Sequence, residues 1–368
     1  MFRRIGIATL IAAFTLATTP GYACTGISLT AKDGTAVRGR TMEFGYPLSS
    51  NVIVIPKGTQ MSGTLPDGGK GITYTTKYSM VGANAVGQTV IVDGLNDQGL
   101  SLGLFYFPGY AVYATPTPEN APHAMAPFEF GAWVLGNFAT VDEVKAGLKD
   151  AVLVPTPAPG FGQSPSHFFL RDKAGKSIVI EPLEGQLKVF DAPLGVVTNA
   201  PAYDWHMTNL RNYVNLSVTS VPPLDMGGIK LSQLGQGAGM HGLPGDFTPP
   251  SRFVRAVAFT QAEVPSATGD EAVLQAFHIL NQFDIPVGSV RDASDGAMES
   301  TQWTTVSDLR NLRWYFRTYD DATIRMVDLR KSVDAAKGEI RQIKMESSQP
   351  IVDASTIFIS GKAADAAP

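Results

Sequence analysis

The pattern of apolar and polar positions changes its period in blocks along the chain. In Thr25–Lys32, Ile27 and Leu29 alternate with Ser28 and Thr30, a period of two that predicts a strand; Asp33-Gly34 supplies a turn, and Ala36–Met42 predicts the return strand of a hairpin. Further strands are predicted at Val52–Ile55 and Thr73–Tyr78, and a pair at Thr89–Asp93 and Leu100–Phe105 joined by Gly94–Gly99. Helical signals begin near Phe128, and Thr140-Val141-Asp142-Glu143 reads as a capping box followed by the apolar stripe Val144 and Leu148. A second run of hairpins covers Phe168–Arg171, Ser177–Glu181, Leu187–Asp191 and Gly195–Asn199. A second helix is predicted at Asp270–Phe283, where Val273, Ala276, Phe277 and Leu280 share a face; the chain then returns to strands at Gln302–Asp308, Leu312–Thr318 and Ile324–Leu329. Blocks of strands and helices, rather than strict alternation, argue against a doubly wound parallel sheet and fit an α+β protein with two antiparallel sheets and helices packed outside. No internal repeat or composition break divides residues 24–368, so one domain is expected, ending in an Ala-rich flexible tail at 361–368.

The first residues read differently. A charged start at Arg3-Arg4, an apolar run Ile5–Leu16 and the small-residue site Gly21-Tyr22-Ala23 match a cleavable secretory signal over residues 1–23, with a periplasmic or secreted destination. The apolar run is too short to span a bilayer. A lipoprotein cut would leave the same N-terminal residue, but Pro20-Gly21-Tyr22-Ala23 lacks the leucine three residues before the cysteine, so no membrane anchor is expected. Loss of residues 1–23, with Arg3 and Arg4, takes the formal charge from −4 to −6. Such a mildly acidic chain carries no electrostatic footprint for nucleic acid.

The expected cut makes Cys24, the only cysteine, the first residue of the mature chain. A lone thiol in an oxidising compartment asks for a chemical reason, and an N-terminal cysteine carries a nucleophile and a base on one residue. Its reactive form is the thiolate, which a nearby cation favours; its α-amino group accepts and returns a proton near neutral pH. On the neighbouring strand Arg40 is a candidate cation and Glu43 a candidate carboxylate to orient the amine, although both also suit a surface ion pair on a hairpin. A tetrahedral oxyanion further wants preorganised donors such as an asparagine amide or a backbone N–H. A Cys–His pair is the rival route to a reactive thiol, and five histidines (His123, His167, His206, His241, His278) are available, none singled out by a motif. No His-Glu-x-x-His or Cys-x-x-Cys spacing is present, so no metal and no cofactor is expected.

Six blocks in order carry a family resemblance: Cys24-Thr25-Gly26, Gly39-Arg40-Thr41-Met42-Glu43, Asn96-Asp97-Gln98-Gly99-Leu100, Phe107-Pro108-Gly109-Tyr110, Thr198-Asn199-Ala200-Pro201, and Met240–Asp246 with Ser251-Arg252-Phe253. The chain resembles the choloylglycine hydrolases, which include bile salt hydrolases and penicillin V acylases. The resemblance implies an N-terminal nucleophile hydrolase with a four-layer αββα sandwich that cleaves linear, non-peptide-chain amides through an acyl-thioester. It places Cys24 as nucleophile and base, Arg40 beside the thiolate, Glu43 at the amine, Asn199 and Tyr106 at the oxyanion positions and Arg252 at the remaining arginine position.

Two departures stand out. Glu43 occupies a position where the family usually has aspartate, and Tyr106 one where bile salt hydrolases typically have asparagine and penicillin V acylases tyrosine, which tilts the expected substrate towards an acylase. The expected partner is a small-molecule amide with an apolar acyl group, lined by Met61, Tyr110 and Tyr113 from the Gly- and Pro-rich segments Pro56–Gly71 and Tyr110–Ala126. N-acyl-homoserine lactone acylase activity and a non-catalytic binding protein of the same fold are the alternatives. Family relatives are often tetramers, so a homotetramer is the implied assembly.

Overall fold

The predicted hairpin forms, and it sets the frame for everything around it. Strand β1 (Cys24–Thr30) runs antiparallel to β2 (Ala36–Phe44), with Cys24 opposite Met42 and Gly26 opposite Arg40. The turn closes because Asp33 Oδ1 accepts the Thr35 N–H at 2.8 Å and Gly34 adopts φ +83°. The computed structural model describes residues 23–355. Residues 1–22 of the expected leader and the expected tail at 361–368 lie outside the described residues.

Two large antiparallel sheets follow. The strands continue as β3 (Asn51–Ile55), β4 (Met80–Ala83), β5 (Asp93–Asn96), β6 (Leu100–Tyr106), β7 (Ser166–Asp172), β8 (Ser177–Leu183) and β9 (Gln186–Asp191). They end with β10 (Val196–Val197), β11 (Met298–Asp308), β12 (Arg313–Thr318), β13 (Asp321–Asp328) and β14 (Arg341–Lys344). One sheet has the order β10-β1-β2-β11-β12-β13, with the short strand Val290–Arg291 added to β11; the other has the order β9-β8-β7-β6-β5-β4-β3-β14. Helices α1 (Phe130–Asn137), α2 (Val141–Gly147), α3 (Tyr203–Asn209), α4 (Pro249–Ala262), α5 (Gly269–Leu280) and α6 (Leu329–Ala336) complete the chain. Helices α4 and α5 cover β1, with α5 also against β2 and β11, while α1 covers β5 and β6, which gives the four layers αββα.

Several elements differ from the sequence expectation. The strand expected at Thr89–Asp93 is Asp93–Asn96, because Val90, Ile91 and Val92 are buried ahead of the ladder and Asn96 Oδ1 ties the turn by accepting Gln98 N–H and Leu100 N–H at 3.1 and 3.0 Å. The strand expected at Thr73–Tyr78 is Lys70–Thr75, paired with Gln60–Thr64 in a segment read as loop. The strand expected at Gly195–Asn199 shortens to Val196–Val197, freeing Asn199 from any ladder. At the capping box Thr140 Oγ1 accepts Glu143 N–H at 3.2 Å, and the Glu143 carboxylate reaches Ala139 N–H, one residue before the cap.

What the two sheets bury between them is partly charged. Alternation along β2 sends Arg38, Arg40 and Met42 towards β5 and β6, and Gly39, Thr41 and Glu43 towards the helices; an added Cβ at Gly39 would lie 2.9 Å from Leu280 of α5. Arg38 donates to Asp93, to Ser101 Oγ at 2.8 Å and to Leu102 O at 3.0 Å. Asp93 also accepts from Thr305 Oγ1 at 2.8 Å and Trp314 Nε1 at 3.2 Å, so one carboxylate of the second sheet is bound to three strands of the first. Arg38 thus has a carboxylate partner, whereas Arg40, two positions on, is in none of the ion pairs of the described residues.

Candidate active site

Cys24 begins β1 and is buried, with its sulfur turned into the space between the sheets. Arg40, two positions from the facing Met42, brings Nη2 to 2.8 Å from Cys24 Sγ. Its other donors are fixed by backbone: Nη1 reaches Leu104 O on β6, and Nε donates to Thr41 O at 3.1 Å. The guanidinium lies over Phe105 at 4.3 Å and near Trp303 at 5.3 Å, so two rings hold its plane. Met42 Sδ, 3.9 Å from Cys24 Sγ and 3.5 Å from Arg40 Nη2, fills the remaining side of the sulfur. Burial pushes the thiol up, and Arg40 is the largest influence drawing it back, with Glu43 raising it and Arg252 lowering it.

The nitrogen of Cys24 has its own partner. It lies 2.9 Å from Asn199 Oδ1, which also accepts Arg252 Nη2 at 2.7 Å. Arg252 enters from α4, where Pro249 and Pro250 start the helix; Nη1 donates to Cys24 O and to Thr25 Oγ1 at 3.0 Å, and Nε to Phe247 O at 2.8 Å. One guanidinium therefore fixes both the carbonyl of Cys24 and the side chain that holds its nitrogen. Asn199 Nδ2 donates to Tyr106 O at 2.7 Å, and a primary amide carries a second N–H on that atom.

Tyr106 ends β6 with its backbone turned towards Asn199, because the next residue, Phe107, takes the ladder bond to Pro165 O at 2.7 Å. Phe105 faces Arg40, so the Tyr106 ring goes to the opposite face of the strand. The part of Tyr106 presented to the site is its peptide group, not its phenol.

Glu43 lies near Cys24 but does not bond to its nitrogen while Ala23 precedes it. Its Oε1 accepts Thr301 Oγ1 at 2.9 Å, its Oε2 is buried without a hydrogen-bond partner, and the Cys24 nitrogen bonds to Asn199 instead. Burial pushes Glu43 up to about 8, opposed first by the Arg252 charge and then by the Thr41 and Thr301 hydroxyls. The backbone N–H of Glu43 donates to the carbonyl of Ala23 at 3.0 Å, so the peptide before Cys24 is itself held inside the site.

The three residues expected to line the acyl pocket each have partners of their own. Met61 Sδ lies 3.6 Å from Tyr74 Oη within the Gln60–Thr75 hairpin, and Tyr110 rests on Phe107 with ring centroids 5.6 Å apart. Tyr113 donates to Ser164 O at 3.1 Å and accepts Ser166 N–H at 2.7 Å, which commits its hydroxyl to the start of β7. Sequence reasoning also passed over Met42 and Thr301, and it weighed the histidines only as a rival route to a reactive thiol. Strand register signalled the first two, being opposite Cys24 and Glu43, once the pairing is known. Among the described residues no group of three or more His, Cys, Asp or Glu is placed to hold a metal ion, and no helix is long and apolar enough to cross a membrane.

A profile of the family described as linear amide C–N hydrolases, choloylglycine hydrolase family, matches residues 24–338. The chain belongs to the choloylglycine hydrolase family. Its match starts at Cys24, the residue on which the geometry above converges. As a member of that family it is a hydrolase of carbon–nitrogen bonds in linear amides other than peptide bonds. It is 35% identical to the bile salt hydrolase/transferase of Clostridium perfringens over 311 residues, covering 84% of this chain and 93% of the relative. A crystal structure of a variant of the conjugated bile acid hydrolase from Clostridium perfringens superposes with a TM-score of 0.80 at 34% identity, covering 90% of this chain and all of that one. The penicillin V acylase of Pectobacterium atrosepticum is 28% identical over 327 residues, covering 82% of this chain and 79% of the relative.

Proposed function

We propose that the chain hydrolyses conjugated bile salts, amides of a bulky apolar acyl group, with Cys24 as nucleophile once residues 1–23 have been removed during export. The observation that carries this reading is the convergence of Arg40 on Cys24 Sγ and of Asn199 on Cys24 N. The free α-amine takes the thiol proton, and the thiolate attacks the substrate carbonyl. The oxyanion receives the second N–H of Asn199 Nδ2 and the backbone N–H of Tyr106. Collapse breaks the C–N bond as the α-ammonium returns its proton to the leaving nitrogen, leaving an acyl-thioester on Cys24. Water, deprotonated by the same amine, then attacks the thioester and releases the acid and the thiol.

The identities favour bile salts over penicillin V, 35% against 28%. Penicillin V is the second reading, supported by the 28% identity to a penicillin V acylase. The unpartnered Oε2 of Glu43 suits an α-ammonium created at the cut. A tetramer has a surface to use: in the hairpin Leu224–Met226 and Ile229–Leu231 every residue is exposed, and a two-stranded hairpin of that kind is stable only when covered.

The test offers glycine- and taurine-conjugated bile salts, penicillin V and an N-acyl-homoserine lactone to the exported protein. Intact-mass analysis establishes its first residue. The expected result is release of glycine or taurine by a chain starting at Cys24, abolished by iodoacetamide. Turnover by a chain that still begins before Cys24, or that carries lipid there, sinks the mechanism.

A further inference from the structure

Two buried histidines that the reaction scheme does not use converge on the loop carrying Asn199. His167 on β7 has Nδ1 at 3.1 Å from Glu181 Oε1 and Nε2 at 3.1 Å from Thr198 O. A carbonyl only accepts, so Nε2 carries a hydrogen towards Thr198, and Nδ1 is engaged by the Glu181 carboxyl. His167 is stacked on Phe107 with centroids 4.3 Å apart and planes 6° from parallel, with Phe105 at its edge. The ring therefore has no room to turn away from either partner. Glu181 on β8 is held in turn by Tyr203 N–H at 3.0 Å to Oε1 and 3.3 Å to Oε2.

His206 on α3 supplies the second hold. Its Nε2 lies 2.9 Å from Asn199 O, so this nitrogen is the donor, and its ring is stacked on Phe253 at 4.7 Å. Burial first, then the neighbouring charges of His167 and Arg252, push His206 down to about 4, so it holds a single N–H at neutral pH. The titratable and charged groups around the pair are Glu181 on β8, Tyr203 on α3 and Arg252 on α4.

We propose that His167, anchored on Glu181, and His206 are positioning residues that clamp the consecutive carbonyls of Thr198 and Asn199, and so fix the Asn199 amide against the Cys24 nitrogen and the oxyanion. This rests on the reading of Cys24 and Asn199 given above. The loop needs the clamp because Asn199 lies beyond the two-residue strand β10 and no ladder holds it. Small misplacements of such a group cost turnover more than binding.

The hydrogen-bonding half is read in the unmodified protein by nitrogen-15 NMR of labelled histidine. Both rings are expected to carry a hydrogen on Nε2, the nitrogen that faces the Thr198 and Asn199 carbonyls. The positioning half is read in His206→Phe and His167→Phe. In each, kcat is expected to fall about 10- to 100-fold with KM within about threefold, while the rate of Cys24 alkylation is unchanged, because Arg40 rather than the clamp holds the sulfur. An Nε2 without a hydrogen in either ring, or kcat within about twofold of the parent in His206→Phe, overturns the proposal. Turnover that survives Cys24→Ala would instead sink the underlying reading and leave the NMR result standing.

Discussion

Asn199 Oδ1 stands 2.9 Å from the nitrogen of Cys24 and 2.7 Å from Arg252 Nη2, so a single oxygen joins the head of β1 to helix α4. The same amide sends its nitrogen to Tyr106 O at the end of the second sheet. Three layers of the fold thus meet on one side chain.

The first prediction follows from that junction. Asn199→Ala removes an oxyanion donor and the holder of the nucleophile's nitrogen, and kcat is expected to fall at least 10²- to 10³-fold, on the order found for a lost oxyanion donor. Steady-state kinetics check it, with circular dichroism confirming the fold. Retention of a tenth or more of the parent kcat would falsify the assignment.

Arg40 is the counter-charge of the thiol, and its guanidinium is fixed by Phe105, Leu104 O and Thr41 O as a planar group. Arg40→Lys cannot reproduce that fork, and Arg40→Leu removes the charge. In both, the pH midpoint of iodoacetamide labelling at Cys24 is expected to move upward, further in the leucine variant, since the largest influence opposing burial is then lost. An unmoved midpoint would show that another group sets the thiolate.

Glu43 makes a pH prediction with a definite sign. Its folded value of about 8 lies above the ordinary 4.5, so between the two the folded chain binds more protons than the unfolded one. The stability this contributes is complete below about 4.5 and is lost as pH rises through about 8. In a chain that keeps Ala23, Tm is expected to decline across that window, and Glu43→Gln, which mimics the protonated acid, is expected to flatten it. In the chain starting at Cys24 the decline should shrink, because the α-ammonium stabilises the carboxylate. Equal slopes in both chains would remove Glu43 as the amine's partner.

Asp93→Ala strips the carboxylate that binds Arg38, Thr305 and Trp314, leaving a buried arginine uncompensated. A loss of about 3–5 kcal/mol is expected, measurable by urea unfolding. Asp93→Asn keeps an acceptor for Thr305 and Trp314 and is expected to lose less. Equal stability of Asp93→Ala and the parent would mean that the sheets do not depend on this junction.

The sequence made the β1–β2 hairpin readable because its residues alternate cleanly and Asp33-Gly34 marks the turn, and that hairpin already put Arg40 beside Cys24. Helix α4 was harder to see. Its Pro249-Pro250 start is a usable signal, but Ser251, Arg252, Phe253, Val254, Arg255 and Ala256 are all buried, so buried arginines interrupt the apolar stripe that marks a helix. The resemblance supplied Arg252 where periodicity did not. Neither route anticipated the bond between the Cys24 nitrogen and Asn199 Oδ1, because it depends on the path of the chain after β10. Nor did either find His167, whose partners Glu181 and Thr198 are brought to it by the pairing of β7 with β8 and by the path of the chain after β10.

The bond from Glu43 N–H to the carbonyl of Ala23 has a further meaning for a chain cut before Cys24. The Glu43 N–H already favours negative charge at the sulfur, and a cut that removes the Ala23 carbonyl leaves it without a competing acceptor. Maturation then does more than uncover an amine: it changes the electrostatic potential at the thiol without moving a single charged side chain.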